Sequence, residues 1–156
     1  MDRFPRPPQP LRFMTLHLLK LCVGAESVAD LADWQAARSA ERRAAGLDPS
    51  PSHVTRMWPK RAEAVLAGGS LYWVIKGLVL VRQRILGLEQ VTGADGIARC
   101  ALRLDPTLVR TTPQPRRPFQ GWRYLDPAEA PADLDGGTET DLPPALARDL
   151  AALGVL

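Results

Sequence analysis

The stretch SLYWVIKGLVLVRQRILGLEQV, residues 70–91, is the most strand-like part of a chain of 156 residues. Over residues 71–76 the side chains alternate along the sequence in the way that is typical of a β-strand, and Gly77 permits a turn or a bulge. The pattern resumes after this glycine, with Arg82 and Arg84 on one face. These residues predict two consecutive strands.

The sequence that follows predicts a further hairpin. The segment TGADG, residues 92–96, contains an Asp-Gly pair, which is a strong signal for a tight turn between strands. Over Ile97–Leu104 the alternation returns, with Cys100 on the inner face and Arg99 and Arg103 on the outer face. A third strand is therefore expected here.

Upstream, two strands each precede a helix. Thr15–Val23 is an apolar run that predicts a buried strand. Ser27 is a favourable N-cap for a helix over Val28–Ala45. His53–Met57 then predicts a short strand, and Lys60–Ala67 predicts a second, short helix.

The order of these elements favours an α+β fold. Two helices come early and most strands follow in consecutive hairpins, which differs from the regular alternation of strands and helices in a parallel sheet. We therefore expect a curled, mainly antiparallel sheet or partial β-barrel with two N-terminal helices.

The two ends of the chain differ in composition from its middle. Residues 1–13 form a Pro-rich segment that we expect to be a disordered leader. A single α+β domain is expected over residues 14–132, although the part from 105 to 118 is rich in Pro and Thr and predicts irregular structure. Residues 133–156 form an acidic tail, in which Pro144–Leu153 indicates a short helix.

Composition places the chain among globular proteins, with 46% hydrophobic and 24% charged residues. The longest apolar runs, residues 16–23 and 71–81, are each broken by a lysine and fall short of the roughly 20 residues that a membrane helix needs. No secretory signal is evident. Cys22 and Cys100 lie far apart in apolar patterns, which is typical of buried thiols in a reducing compartment. We therefore expect a cytoplasmic protein without a membrane partner.

The charge is unevenly distributed along the chain. Residues 53–125 carry 12 basic and 4 acidic side chains, a net charge of +8, whereas residues 1–52 carry +1 and residues 126–156 carry −6. These values sum to the net charge of +3. The basic middle suggests an anionic partner, and the acidic tail could equally shield it within the chain.

Motifs for several common chemistries are missing from the sequence. GGSLY, residues 68–72, lacks the second glycine of a nucleophile elbow, and the only histidines are His17 and His53. No Cys, His, Asp or Glu residues have the close spacing of a metal site, and no phosphate-binding loop is found. The sequence therefore predicts neither a metal nor a cofactor, and no catalytic residue is identified.

The arginine and aromatic residues of the basic middle carry the strongest functional signal. They lie in TRMWPKR (55–61), YWVIKGLVLVRQR (72–84) and RRPFQGWRYL (116–125), the last interpreted as a binding loop. Guanidinium groups bind phosphates bidentately, and aromatic faces stack on exposed bases at about 1–3 kcal/mol each. Gln83 and Gln120 could read a base edge through their amides. We therefore predict a cleft that binds nucleic acid, RNA more than DNA, or a nucleotide. The predicted lining residues are Arg56, Trp58, Lys60, Arg61, Tyr72, Arg82, Arg84, Arg116, Arg117, Gln120, Trp122, Arg123 and Tyr124.

Three alternatives remain open at this point. Aromatic residues such as Trp73 and Trp122 could be core residues, with the arginines forming the solvated face of a sheet. The protein could instead be an enzyme acting on a nucleotide or a small phosphorylated compound, with Asp105 or Glu89 as a carboxylate base. It could also be a protein–protein adaptor whose basic face docks an acidic partner.

Five blocks of sequence carry a family resemblance. In chain order they are MTLHLLKLCVG (14–24), HVTRMWPKR (53–61), GSLYWVIKG (69–77), VRQRILGLE (81–89) and RRPFQGWRYL (116–125). Over about residues 14–132 they resemble the alphaproteobacterial family catalogued as domain of unknown function number 1489, a resemblance that implies no particular activity. In element order and composition the chain is also similar to the PUA-like superfamily, which includes the ASCH and EVE domains. That similarity implies a small curled β-barrel with flanking helices that binds RNA or modified bases in a cleft.

Overall fold

The computed structural model describes residues 15–134, in which seven strands and two α-helices occur. The predicted leader and the predicted helix at Pro144–Leu153 lie outside the described residues. In chain order the elements are β1 (His17–Leu21), α1 (Val28–Ala44), β2 (Ser52–Thr55), α2 (Ala62–Leu66), β3 (Ser70–Ile75), β4 (Leu78–Thr92), β5 (Ala98–Leu104), β6 (Val109–Pro115) and β7 (Trp122–Leu125).

All of these strands belong to one sheet whose end strands, β2 and β7, do not pair with each other. The strand order is β2-β5-β4-β3-β1-β7. Strand β6 is not part of this order and pairs with β4. The pairs are antiparallel except that of β1 with β3. The predicted α+β class is confirmed: the described residues form two helices and a large, mostly antiparallel sheet that is not closed.

The long strand β4 links the two halves of the sheet. Its first half, residues 78–84, pairs with β3, and its second half, from Ile85 onward, pairs with β5. The register with β5 shifts between Ile85 and Gly87. Irregularities of this kind bend a strand and increase its twist, which curls the sheet.

Both faces of the sheet are buried. Leu18 and Leu71 belong to the larger core cluster, to which α1 contributes Val28 and Leu31. A smaller cluster on the opposite face includes Tyr72. The partly buried side chains that pack against this smaller cluster are Leu21, Phe119 and Ala130.

The sequence predicted the start of α1 correctly and the other helix bounds less accurately. The Ser27 side chain accepts a hydrogen bond from the Asp30 amide at 3.1 Å, which confirms the predicted N-cap of α1. The helix ends at Ala44, one residue before the predicted end. Helix α2 is shorter than predicted at both ends. Within residues 15–134 no helix is both long and apolar enough to cross a membrane.

Two regions predicted to be irregular form strands instead. Strand β6 contains Pro113 and Pro115, and its regular pairing is with β4 alone. Proline is tolerated on such a strand because not every N–H is needed for pairing. The last four residues of the predicted loop RRPFQGWRYL form β7, whose Trp122 lies opposite Lys20 of β1. Four residues are too few to show a period of two clearly in sequence.

Candidate functional site

Side chains bridge the gap between the two end strands of the sheet. The indole Nε1 of Trp122, in β7, donates to the carbonyl oxygen of Met57, just after β2, at 2.9 Å. The amide of Arg61 donates to the hydroxyl of Tyr124 at 3.0 Å. These two bonds fix the connection from β2 to α2 against β7. They bring together the residues that we call the basic edge: Arg56, Trp58, Lys60, Arg61 and Tyr124.

The basic edge presents exposed cationic side chains together with accessible rings. The side chains of Trp58 and Tyr124 are 44% and 38% exposed. Its three basic side chains are exposed, and none forms an ion pair with any carboxylate of residues 15–134. By contrast, Arg99 of β5 lies 2.8 Å from Asp95. An anion could therefore bind the basic edge without first breaking an ion pair within residues 15–134.

Trp122 holds the basic edge in place and has little surface of its own. It is 8% exposed, its N–H is already used, and its ring lies at 74° to that of Tyr124 with centroids 4.8 Å apart. Of Trp58, Trp122 and Tyr124, only Trp58 and Tyr124 therefore keep rings that a base could stack on.

A second group of predicted residues lines a separate cavity of about 450 Å³, which we call the arginine cavity. Its walls include Tyr72, Arg82 and Arg84 together with His17 and Ser70. The guanidinium of Arg82 donates to the Ser70 hydroxyl at 3.0 Å. Tyr72 is only 4% exposed, so its ring belongs to the core more than to the cavity.

Arg82 is neutralised by the beginning of the predicted acidic tail. Its Nε and Nη2 atoms donate to the two carboxylate oxygens of Asp133 at 2.8 and 2.7 Å. This bidentate pair raises the pKa of Arg82 and lowers the pKa of Asp133. The first residue of the acidic segment therefore shields one predicted site arginine within the chain.

His17 is held in one tautomer at the same cavity. Its Nδ1 accepts a hydrogen bond from the Ser70 amide at 3.0 Å, so the proton of the neutral ring lies on Nε2. Burial, followed by the positive charge of Arg82, lowers the pKa of His17. The imidazole is consequently a neutral hydrogen-bonding group at neutral pH.

The third group of predicted residues lies around the turn before β7. The guanidinium of Arg116 donates to Gln114, at 3.1 Å from Nε and 2.9 Å from Nη2. Arg123 lies over the ring of Phe119, 5.1 Å from its centroid. Arg117 and Gln120 are exposed. The structure thus distributes the predicted site over three groups and not over one continuous cleft.

Gln83 does not read a base edge, because its side chain is fully buried and all its hydrogen-bonding positions are occupied. Its exposure is 0%, its oxygen accepts from Trp73 Nε1 and Gln35 Nε2, and its nitrogen donates to Gln35 Oε1 and to the carbonyl of Asp105. All four hydrogen-bonding positions of the amide are occupied. Gln83 is a structural link between α1 and the sheet.

The structure reveals a further cavity that sequence reasoning did not predict. It has a volume of about 350 Å³ and lies between α1, the end of β1 and β2; we call it the α1 cavity. The only sequence signal for it was the pair Trp34-Gln35 near the inner face of the predicted helix. Its polar and aromatic lining residues are Lys20, Trp34, Gln35, Arg38, Ser52, His53 and Trp73.

His53 stands out among the residues that line the α1 cavity. Its ring meets that of Trp73 edge-on, with centroids 5.1 Å apart. Burial, with a smaller contribution from Lys20, lowers the pKa of His53 to about 4. Its Nε2 is buried and has no hydrogen-bond partner among residues 15–134. Leaving such an atom unsatisfied costs about 1–3 kcal/mol, so a polar partner is expected for it.

The two carboxylates considered as catalytic bases each contact a nearby residue of the chain. Asp105 accepts from the Thr107 amide at 2.8 Å, and Glu89 lies 3.7 Å from Arg103. Neither lines the α1 cavity or the arginine cavity.

Cys22 and Cys100 are free, and burial raises the pKa of each thiol to about 11. In the described part of the chain no three His, Cys, Asp or Glu residues are grouped as metal ligands would be.

No curated protein and no solved structure matches the chain. One family model, described as a protein of unknown function (DUF1489), matches residues 18–156. The match therefore continues through the acidic C-terminal segment, beyond residue 132, where the resemblance predicted from sequence ends. Because the match covers most of its length, the chain belongs to the DUF1489 family.

Proposed function

We propose that the protein is a nucleic-acid-binding module that holds a single strand, RNA in preference to DNA, along the basic edge. The observation that carries this proposal is the set of three basic side chains without a carboxylate partner in residues 15–134, next to the exposed rings of Trp58 and Tyr124. This is the combination that single-strand binding uses, because cations follow the phosphates and rings stack on the bases.

The shape of the basic edge favours a single strand over a duplex. Its rings belong to a segment between β2 and α2 and to an end strand, and neither is a long helix that could enter a major groove. Unstacked bases of a single strand can instead lie flat on exposed rings. Arg84 and Arg117 are also exposed and could contact phosphates further along the strand.

The PUA-like similarity agrees with this proposal but does not carry it. We infer a PUA-like arrangement from the curled, unclosed sheet and from α1 packing across one of its faces. Since a fold hosts many functions, the proposal rests on the basic edge itself.

The direct test measures the affinity of the full chain for a fluorescently labelled, mixed-sequence RNA of 20 nucleotides, by anisotropy at several salt concentrations. The test variant replaces Arg56, Lys60 and Arg61 by Gln. We expect at least a tenfold loss of affinity. The slope of log affinity against log salt should fall by about 2, since three single-strand phosphate contacts contribute roughly 0.7 each.

A matched control removes the same amount of charge elsewhere. Lys76, Arg99 and Arg103 each lie within 4.0 Å of a carboxylate, and their triple Gln variant has the same net charge as the test variant. We expect this control to lose less than threefold. Equal losses in the two triple variants, or no binding by the unaltered protein, would overturn the proposal. Labelled DNA of the same sequence should bind more weakly than the RNA.

A further inference from the structure

The α1 cavity has the walls of a site for a flat ring. Trp34, from α1, is 48% exposed and offers a face for stacking, whereas Trp73 of β3 is 4% exposed and contacts the ring of His53 from β2. A Cβ atom at Gly24 would lie 3.1 Å from the ring of Trp34, so a side chain there would require this ring to shift slightly. The volume of about 350 Å³ is at the lower end of the roughly 300–1,000 Å³ typical of small-molecule sites.

Two polar groups of the lining keep hydrogen-bonding capacity that residues 15–134 do not use. Nε2 of His53 is buried without a partner in residues 15–134. Gln35 uses one amide N–H and its oxygen toward Gln83, which leaves its second N–H for another acceptor. A ligand with ring nitrogens or exocyclic polar atoms would satisfy both groups. An all-carbon ring would leave them unpaired.

Two cationic side chains line the α1 cavity. Lys20 and Arg38 line it, and neither forms an ion pair with a carboxylate of residues 15–134. The basic edge is close by, since Arg56 follows β2 directly and Lys20 lies opposite Trp122. A ligand with a phosphate attached to its ring system would therefore meet positive charge as it enters.

We propose that the α1 cavity binds a nucleobase together with its attached phosphate, with the base stacked on the exposed ring of Trp34 and its edge toward Gln35 and His53. The same chemistry is supplied by a free nucleoside monophosphate and by a base turned out of a bound strand. The choice of a nucleobase among polar heterocycles rests on the proposed function, whereas the planar, polar and anionic character of the ligand comes from the cavity alone.

The test compares two tryptophans of nearly equal exposure. Trp34→Ala alters the α1 cavity, and Trp58→Ala alters the basic edge, where the side chain is 44% exposed. Binding of AMP, GMP, CMP and UMP to the full chain is measured by calorimetry, and binding of the labelled 20-nucleotide RNA by anisotropy. We expect at least one monophosphate to bind. Trp34→Ala should weaken that binding at least tenfold, and Trp58→Ala should leave it within twofold.

The RNA-binding measurement distinguishes the two sources of the base, a bound RNA strand and a free nucleotide. If Trp34→Ala also weakens RNA binding and the monophosphate competes with RNA, the base comes from the strand. If RNA binding is unaffected, the cavity holds the free nucleotide. Binding of a monophosphate with no RNA binding at all would support the cavity while overturning the proposed function.

The inference is overturned if no monophosphate binds and Trp34→Ala leaves RNA binding unchanged. It is also overturned if Trp34→Ala and Trp58→Ala weaken monophosphate binding equally, since the ligand would then lie outside the cavity. His53→Phe provides a second variant that keeps a ring against Trp73 and removes only the hydrogen-bonding nitrogens. This variant should weaken monophosphate binding while its melting temperature stays near that of the unaltered protein.

Discussion

The indole Nε1 of Trp73 donates to Oε1 of Gln83 at 2.9 Å in the fully buried interior of the sheet. An indole only donates and the Asp105 carbonyl only accepts, so these two partners fix which end of the Gln83 amide is oxygen. The orientation of Gln35 on α1 follows from that of Gln83. One buried amide thereby positions two walls of the α1 cavity.

Replacing Gln83 by Leu should lower the free energy of unfolding by about 3 kcal/mol, because the Trp73 N–H and the Asp105 carbonyl would lose their partner in the interior. Urea denaturation measures this change. Gln90→Leu, at an exposed position of the same strand, should change the value by less than about 0.5 kcal/mol. Equal stabilities for the two variants would show that the network contributes little.

Tyr124→Phe removes the hydroxyl that accepts from the Arg61 amide at 3.0 Å. We expect a loss of about 0.5–1.5 kcal/mol in stability, together with faster hydrogen exchange in the segment from Arg56 to Arg61. Exchange measured by mass spectrometry on peptides of this segment reports the change. Tyr72→Phe is the control, and it should leave exchange in this segment unaltered. If Tyr124→Phe also leaves it unaltered, the hydroxyl does not hold the basic edge.

The sequence predicted the parts of the fold that depend on local patterns. The alternation over residues 70–91 and the serine cap at Ser27 identified β3, β4 and the start of α1. Strand β6 was missed because its prolines argue against pairing unless the edge position is known. The α1 cavity was missed because Lys20, His53 and Trp73 are each unremarkable alone and converge only through non-local strand order.

The site prediction from sequence had a related limit. Residue type identified the basic and aromatic stretches but could not assign burial to each ring. On β7, Trp122 and Tyr124 share one face, yet Trp122 is covered by the chain after β2 while Tyr124 reaches the surface. Such a difference depends on which segment packs against the strand, and this is set by tertiary structure.

Replacing Arg116, Arg117 and Arg123 by Ala should weaken binding of the labelled RNA about tenfold, with little change in melting temperature. Arg117 is exposed, and within residues 15–134 the side chain of Arg116 forms hydrogen bonds to Gln114 alone. Arg123 loses a contact with Phe119 that is worth about 0.5–1 kcal/mol at an exposed site. Anisotropy and differential scanning calorimetry give the two values. Unfolding of this variant would show that the turn before β7 is structural.

His53 should make the protein less stable as the pH falls. Its pKa is about 4 in the folded protein against an ordinary value of 6.5, so between these values the unfolded chain binds more protons. The stabilisation is present in full above pH 6.5 and is lost toward pH 4, at up to about 1.4 kcal/mol per pH unit.

His53→Phe isolates this contribution, because His17, Asp48 and Asp133 also have lowered pKa values and act in the same direction. Urea denaturation at pH 7 and pH 4.5 should show a smaller loss of stability for the variant than for the unaltered protein. An identical loss would mean that His53 is already solvated and titrates near its ordinary value.

Gly69→Ala should destabilise the protein by about 3 kcal/mol or more. A Cβ atom at this position would overlap the carbonyl oxygens of Leu16 and Val65, and both belong to backbone that cannot rotate away. Gly87→Ala is the matched control, since the nearest atoms to its Cβ are those of the Arg103 guanidinium, at 3.9 Å. Neither glycine has a positive φ, so neither substitution places alanine in the left-handed region. The control should be neutral or stabilising by up to about 1 kcal/mol, because alanine restricts the unfolded chain. Thermal unfolding of both variants decides the matter: a stable Gly69→Ala protein would show that α2 and β1 can separate without loss of the fold.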